Sequence, residues 1–219
     1  MSQMYRTESR IAGVLFIIAT GATMASQMII EPILNSATEA AVITGREGAF
    51  TIGVLLEIVN ALASAGIAIA LFPIIWLCVR SLAVAYTGLR IIEASTGIAA
   101  VVGLLLLLSP DMGEIGLVWH DWAFLLLLLV FSTSTCVLYP VLFVFRLVPR
   151  VLSVWGLIGG LMLAVSVLLI MFGRIEFGSS TDLVLSLPIW INEMVLALWL
   201  IFRGVDMSVL PTERLRGAK

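Results

Sequence analysis

Residues 82–108 read LAVAYTGLRIIEASTGIAAVVGLLLLL. A helix of this length rises about 1.5 Å per residue and so exceeds the roughly 30 Å of hydrocarbon in a bilayer. Apart from Arg90 and Glu93, nothing in it carries a charge. The stretch therefore reads as a transmembrane helix with an acid and a base buried near its middle. Tyr86, Arg90, Glu93 and Gly97 follow the 4-3-4 spacing that keeps them on one face of a helix. A polar face turned to lipid would leave its groups unsatisfied, so this face should turn toward other helices.

The rest of the 219-residue chain has the same character. It is 61% hydrophobic and 12% charged, with a mean hydropathy of +1.16, against about half apolar and a quarter charged for a soluble domain. Apolar runs of spanning length lie near 11–30, 50–79, 82–108, 119–145, 151–173 and 182–203. The expected fold is all-α, a single integral membrane domain formed as a polytopic bundle of six transmembrane helices. The first run is longer than the apolar region of a secretory signal and precedes no small-residue cleavage pattern, so it reads as a retained span. Arg80-Ser81 between spans two and three, and RLVPR (146–150) between four and five, are short enough to make helical hairpins. SPDMGEIG (109–116) supplies the Pro and Gly breakers between spans three and four.

Basic residues divide unevenly between the two sides. Arg6, Arg10, Arg80, Arg146, Arg150, Arg203, Arg214, Arg216 and Lys219 fall on one side, and Arg46 and Arg174 on the other. This asymmetry places both termini in the cytoplasm. The longest loop, 31–50, then lies outside. In it Ser36 would cap a short helix reaching 40–43, stopped by Gly45, either along the headgroup boundary or as a plain connector. LFPIIW (71–76) and LYPVLF (138–143) echo each other. Each precedes an arginine-bearing turn, as two hairpins repeated in one orientation would.

Polar stripes mark the other spans too. Glu57, Asn60 and Ser64 share a face of span two, and Ser186 and Glu193 a face of span six with Asn192 beside them. Span four offers Asp121, Ser132, Thr135 and Tyr139, and span one Thr20, Thr23 and Gln27. By depth, Arg90, Glu93 and Glu193 should form a central cluster, with Glu57, His120 and Asp121 as an outer layer above it. One arginine cannot neutralise Glu57, Glu93 and Glu193 together. The surplus carboxylates must be protonated, hydrated, or paired with a cation. Against a functional reading, a buried Arg–Glu pair also serves as a registry device for packing alone. His120 between Trp119 and Trp122 reads more simply as an interfacial belt residue than as a ligand. Gly156 and Gly160 form a GxxxG that reads as close helix packing. Cys78 and Cys136 sit in apolar segments at no ligand spacing and with one histidine in the chain, so neither a disulfide nor a metal site is expected. No cofactor motif is present. No basic patch interleaved with aromatics points to nucleic acid.

LLEIVNALASAGIAIALFPI (55–74), GLRIIEA (88–94) and RLVPRVLSVWGLIGG (146–160) carry a family resemblance, extended by WHDWAFLL (119–126) and LPIWINEMVLALWLIFRG (187–204). The chain resembles a bacterial family of small six-helix integral membrane proteins known as a domain of unknown function. The resemblance covers nearly the whole chain and implies a bacterial cytoplasmic membrane. Glu57, Arg90, Glu93, Asp121 and Glu193 match its pattern. His120 stands where the family more often has other residues, which counts against a catalytic role. No activity comes with the resemblance.

Three functions compete. The favoured one is binding or transport of a small polar or cationic ligand, or of protons, with Glu57, Asn60, Arg90, Glu93, His120, Asp121 and Glu193 as candidate contacts. A membrane-embedded enzyme acting on a lipid is the second, its carboxylates serving as acid and base. It is less favoured, because the chain holds no Gly-x-Ser-x-Gly or His-Glu-x-x-His motif and too few histidines for the metal-dependent intramembrane hydrolases. The third is a structural or regulatory subunit whose polar cluster only packs. The lipid bilayer is the one partner the sequence fixes; it leaves the oligomeric state open.

Overall fold

The computed structural model describes residues 2–35, 45–109 and 111–207. The described residues form six α-helices in up-and-down order: α1 (Ser2–Asn35), α2 (Glu47–Cys78), α3 (Arg80–Leu106), α4 (Gly113–Val144), α5 (Arg150–Met171) and α6 (Ser180–Phe202). All six are long and apolar enough to cross a membrane. The expected helix in the outer loop, with its Ser36 cap, and the tail beyond residue 207 lie outside the described residues; Gly45, the expected stop, has a positive φ of 91°.

The apolar runs located the spans, and the helices outlast them. α1 and α2 contain 34 and 32 residues, and α4 begins at Gly113, within the expected breaker segment. Backbone hydrogen bonding extends the helices beyond hydrocarbon depth, where polar side chains meet headgroups and water; such lengths are taken up by tilt or protrusion. The breaker signal acts upstream: the backbone leaves α3 through turns over 107–109, and α4 starts beyond Pro110.

Each helix packs on its neighbour in the chain, and α6 returns to α1, so the six form a closed ring. The closure is close. A Cβ on Gly13 would lie 2.7 Å from the Ala197 carbonyl oxygen. Ser9 donates to the Leu200 carbonyl at 3.4 Å and Arg10 to the Ile201 carbonyl at 3.1 Å, which ties the start of α1 to the end of α6. Both ends of the bundle's chain therefore share one face.

On that face, Arg80 lies 5.5 Å over the Trp76 ring and Arg150 5.2 Å over Phe143. Trp76 and Phe143 hold matching places in the two echoed motifs, so both hairpins finish with an arginine on an aromatic ring. The echo stops there. Phe72 packs on Trp76 with ring centroids 5.3 Å apart, whereas Tyr139 is buried and donates to Asn192 at 2.6 Å.

Candidate functional site

α3 presents Ala83, Tyr86, Arg90, Glu93, Gly97 and Ala100 to the bundle interior, as the 4-3-4 spacing requires. Arg90 and Glu93 are 2% and 3% exposed. Arg90 Nη1 donates to Glu93 Oε2 at 3.0 Å. Ser64 of α2 completes the knot: its hydroxyl donates to Glu93 Oε1 at 2.9 Å, while Arg90 Nη2 donates to that hydroxyl at 3.3 Å and Arg90 Nε to the Ser64 carbonyl at 3.4 Å. Phe131 and Phe16 flank the guanidinium, with centroids 5.6 and 6.0 Å from it. A buried guanidinium is tolerable when its charge is paired and its donors are used; here Glu93 pairs the charge and three of the five N–H groups are bonded.

Beside this knot lies a cavity of about 60 Å³ in the ring's interior. At about 10–15 Å³ per water-sized occupant, that is room for roughly four to six. Its polar wall is Thr20 and Thr23 of α1, Asn60 and Ser64 of α2, Arg90 and Glu93 of α3, and Glu193 of α6. Its apolar wall is Ala19, Phe124, Leu127, Leu128, Phe131 and Trp190. Of the seven residues singled out in the sequence, Asn60, Arg90, Glu93 and Glu193 meet here.

Arg90, Glu93 and Glu193 meet as the depth argument expected, but only Glu93 is bonded to Arg90. The ion pair runs within α3, and Glu193 contributes its field to the arginine without closing a bond to it. The i,i+3 partner is already in register, whereas an acid on another helix must also have the right rotation. Glu193 instead faces the cavity beside Thr20.

The outer layer assembles only in part. Glu57 lies one turn beyond Asn60, outside the cavity wall; it accepts from Ser26 of α1 at 3.5 Å and has His120 within electrostatic reach. His120 sits there because α3 and α4 cross backbone to backbone. A Cβ on Gly103 would stand 2.6 Å from His120 N, and that proximity brings His120 Nδ1 to 3.1 Å from the Ala100 carbonyl. Trp119 and Trp122 remain exposed, as a membrane belt requires. Asp121, one position past His120, lies on the exposed side of α4, outside the cavity wall and within electrostatic reach of His120.

The α4 stripe turns inward as expected at Ser132, Thr135 and Tyr139, but it meets α5 and Asn192 rather than the cavity. Ser132 and Thr135 bond carbonyls of their own helix, at 2.8 and 2.6 Å, and Tyr139 bonds Asn192, whose amide donates to the Leu152 carbonyl at 3.0 Å. This face packs on α5, where a Cβ on Gly156 would collide with the Tyr139 ring and one on Gly160 with the Thr135 hydroxyl. GxxxG thus serves packing within the bundle. The cavity sees the aromatic face of α4 instead. Phe16, Phe131, Ser26 and Trp190 carried no distinguishing signal in sequence, being apolar or small residues in apolar spans.

The family model for DUF4386, a domain of unknown function, matches residues 11–204. The chain belongs to the DUF4386 family. It matches no curated protein and no solved structure. The DUF4386 match runs from within α1 past the end of α6 and therefore includes the whole cavity wall.

Proposed function

We propose that this membrane protein binds, and moves across the bacterial cytoplasmic membrane, a small polar or cationic ligand or protons, with the central cavity as the binding site. One observation carries the reading: Glu193 faces a polar cavity whose single guanidinium is already engaged by Glu93 and Ser64. A carboxylate at that depth needs a proton, water or a cation. Glu57, Ser26 and His120 lie farther along the same interior and would form its approach, the arginine-poor side being extracellular.

Proteoliposomes test this directly. Glu193→Gln is expected to abolish cation or proton uptake and any pH-dependent ligand binding; uptake equal to that of the wild type would refute the proposal.

A packing-only role is the second reading, favoured by the completeness of the Arg90–Glu93–Ser64 knot. It explains those three residues. It leaves Glu193 and Asn60, whose side chains face the cavity, without a purpose.

A further inference from the structure

The chemistry of the cavity wall narrows the occupant, given the binding role just proposed. Arg90 spends three of its five N–H groups on Glu93 and Ser64, and Glu93 already pairs its charge, so an anion would meet no unpaired cation. With Glu93 neutralised by Arg90, an ionised Glu193 leaves the wall one negative charge in excess. Among the described residues no group of three or more His, Cys, Asp or Glu is placed to hold a metal ion, as a transition-metal site needs, and a single excess negative charge balances one positive charge rather than two. A monovalent cation remains.

Two further observations separate an organic from an inorganic ion. Beside Glu193, Asn60, Thr20 and Thr23, the wall presents the rings of Phe124 and Trp190 and two leucines. Aromatic faces and aliphatic carbon favour an ammonium carrying its own apolar chain over a hydrated metal ion. Space agrees, since room for four to six water-sized groups suits an ion of about four or five heavy atoms. Unspent hydrogen-bonding capacity also lies close by. Among the described residues the Asn60 side chain has no hydrogen-bond partner, nor has the Tyr86 hydroxyl, on a residue 1% exposed and within electrostatic reach of Glu193.

We propose that the cavity binds a small alkylammonium ion, its N–H groups donating to Glu193 and Asn60 and its carbon chain lying against Phe124 and Trp190. Arg90 and Glu93 face this site from α3; Tyr86 and Tyr139 lie outside its wall and are electrostatically coupled to Glu193.

The test is thermal unfolding of the full chain in nanodiscs with propylammonium chloride, against sodium chloride at equal ionic strength and n-propanol as the uncharged isostere. At about ten times Kd, propylammonium should raise Tm by about 3–6 °C, with no comparable effect of sodium or propanol. Glu193→Gln should remove the shift, and Trp190→Ala should weaken binding at least about fivefold. An equal shift with sodium, or a propylammonium shift that survives Glu193→Gln, would overturn the alkylammonium assignment. If propylammonium is inert while sodium or pH acts through Glu193, the ligand class fails and the binding role stands. If no cation and no pH change acts through Glu193, both fail.

Discussion

Arg90 and Glu193 lie at similar depth and differ in how they are settled. Arg90 has an acid three residues along its own helix, a serine across the α2–α3 contact and two flanking rings. Removing one partner of a buried pair costs about 3–5 kcal/mol because the other is left uncompensated. Arg90→Met should therefore lower unfolding stability in detergent by that amount, and adding Glu93→Leu should recover most of it in a double-mutant cycle. Glu193→Gln preserves volume and removes a charge that no ion pair holds. Its stability should stay within about 1 kcal/mol of wild type, read by the same unfolding assay, while ligand binding is lost. The contrast between the two outcomes separates a residue that packs from one that binds. Of this pair, the Arg90–Glu93 bond was legible because i,i+3 spacing brings two side chains together on any helix. The place of Glu193 was legible only in depth, since sequence spacing says nothing about how α6 is rotated against α3.

At the scale of the helices, periodicity identifies a polar face without saying which neighbour it meets. Tyr86 to Gly97 on α3 turns to the bundle interior, with Arg90 and Glu93 on the cavity wall, and Ser132 to Tyr139 on α4 turns to the glycines of α5. Hydroxyls that bond carbonyls of their own helix need no polar partner, which is why the α4 stripe could be spent on close packing. Gly160→Val would drive a methyl group into Thr135 and should cost about 2–3 kcal/mol by overpacking, measured as a lower Tm; Val at the open Gly88 should not. α4 ends differently. Arg146 adopts φ 51°, and Leu147 N bonds back to the Leu142 carbonyl at 3.1 Å, a left-handed C-terminal cap that glycine fits better. Arg146→Gly should accordingly raise stability by about 1 kcal/mol in the same assay.

The whole molecule gains its meaning from the direction in which the ring faces. Six alternating helices put the start of α1, the α2–α3 and α4–α5 turns and the end of α6 on one face, and with them Arg6, Arg10, Arg80, Arg146, Arg150 and Arg203. Arg46 and Arg174 fall on the opposite face. Along α2, the path from Ser64 through Asn60 to Glu57 runs toward that arginine-poor face, away from the tyrosines Tyr86 and Tyr139. The interior is thus polar and hollow on one side of the Arg90 knot and closed by buried aromatic side chains on the other. Since short basic loops stay in the cytoplasm, the hollow side should open outward. A cysteine placed at Gly48, an open position near the start of α2, tests this once Cys78 and Cys136 are replaced by alanine. In intact cells it should react with a membrane-impermeant maleimide, and a fluorescent protein fused to the C-terminus should fold and fluoresce. Labelling only after lysis would reverse the orientation and make the cavity a site entered from the cytoplasm. The ligand would then be an internal solute, while the residues that bind it would be the same.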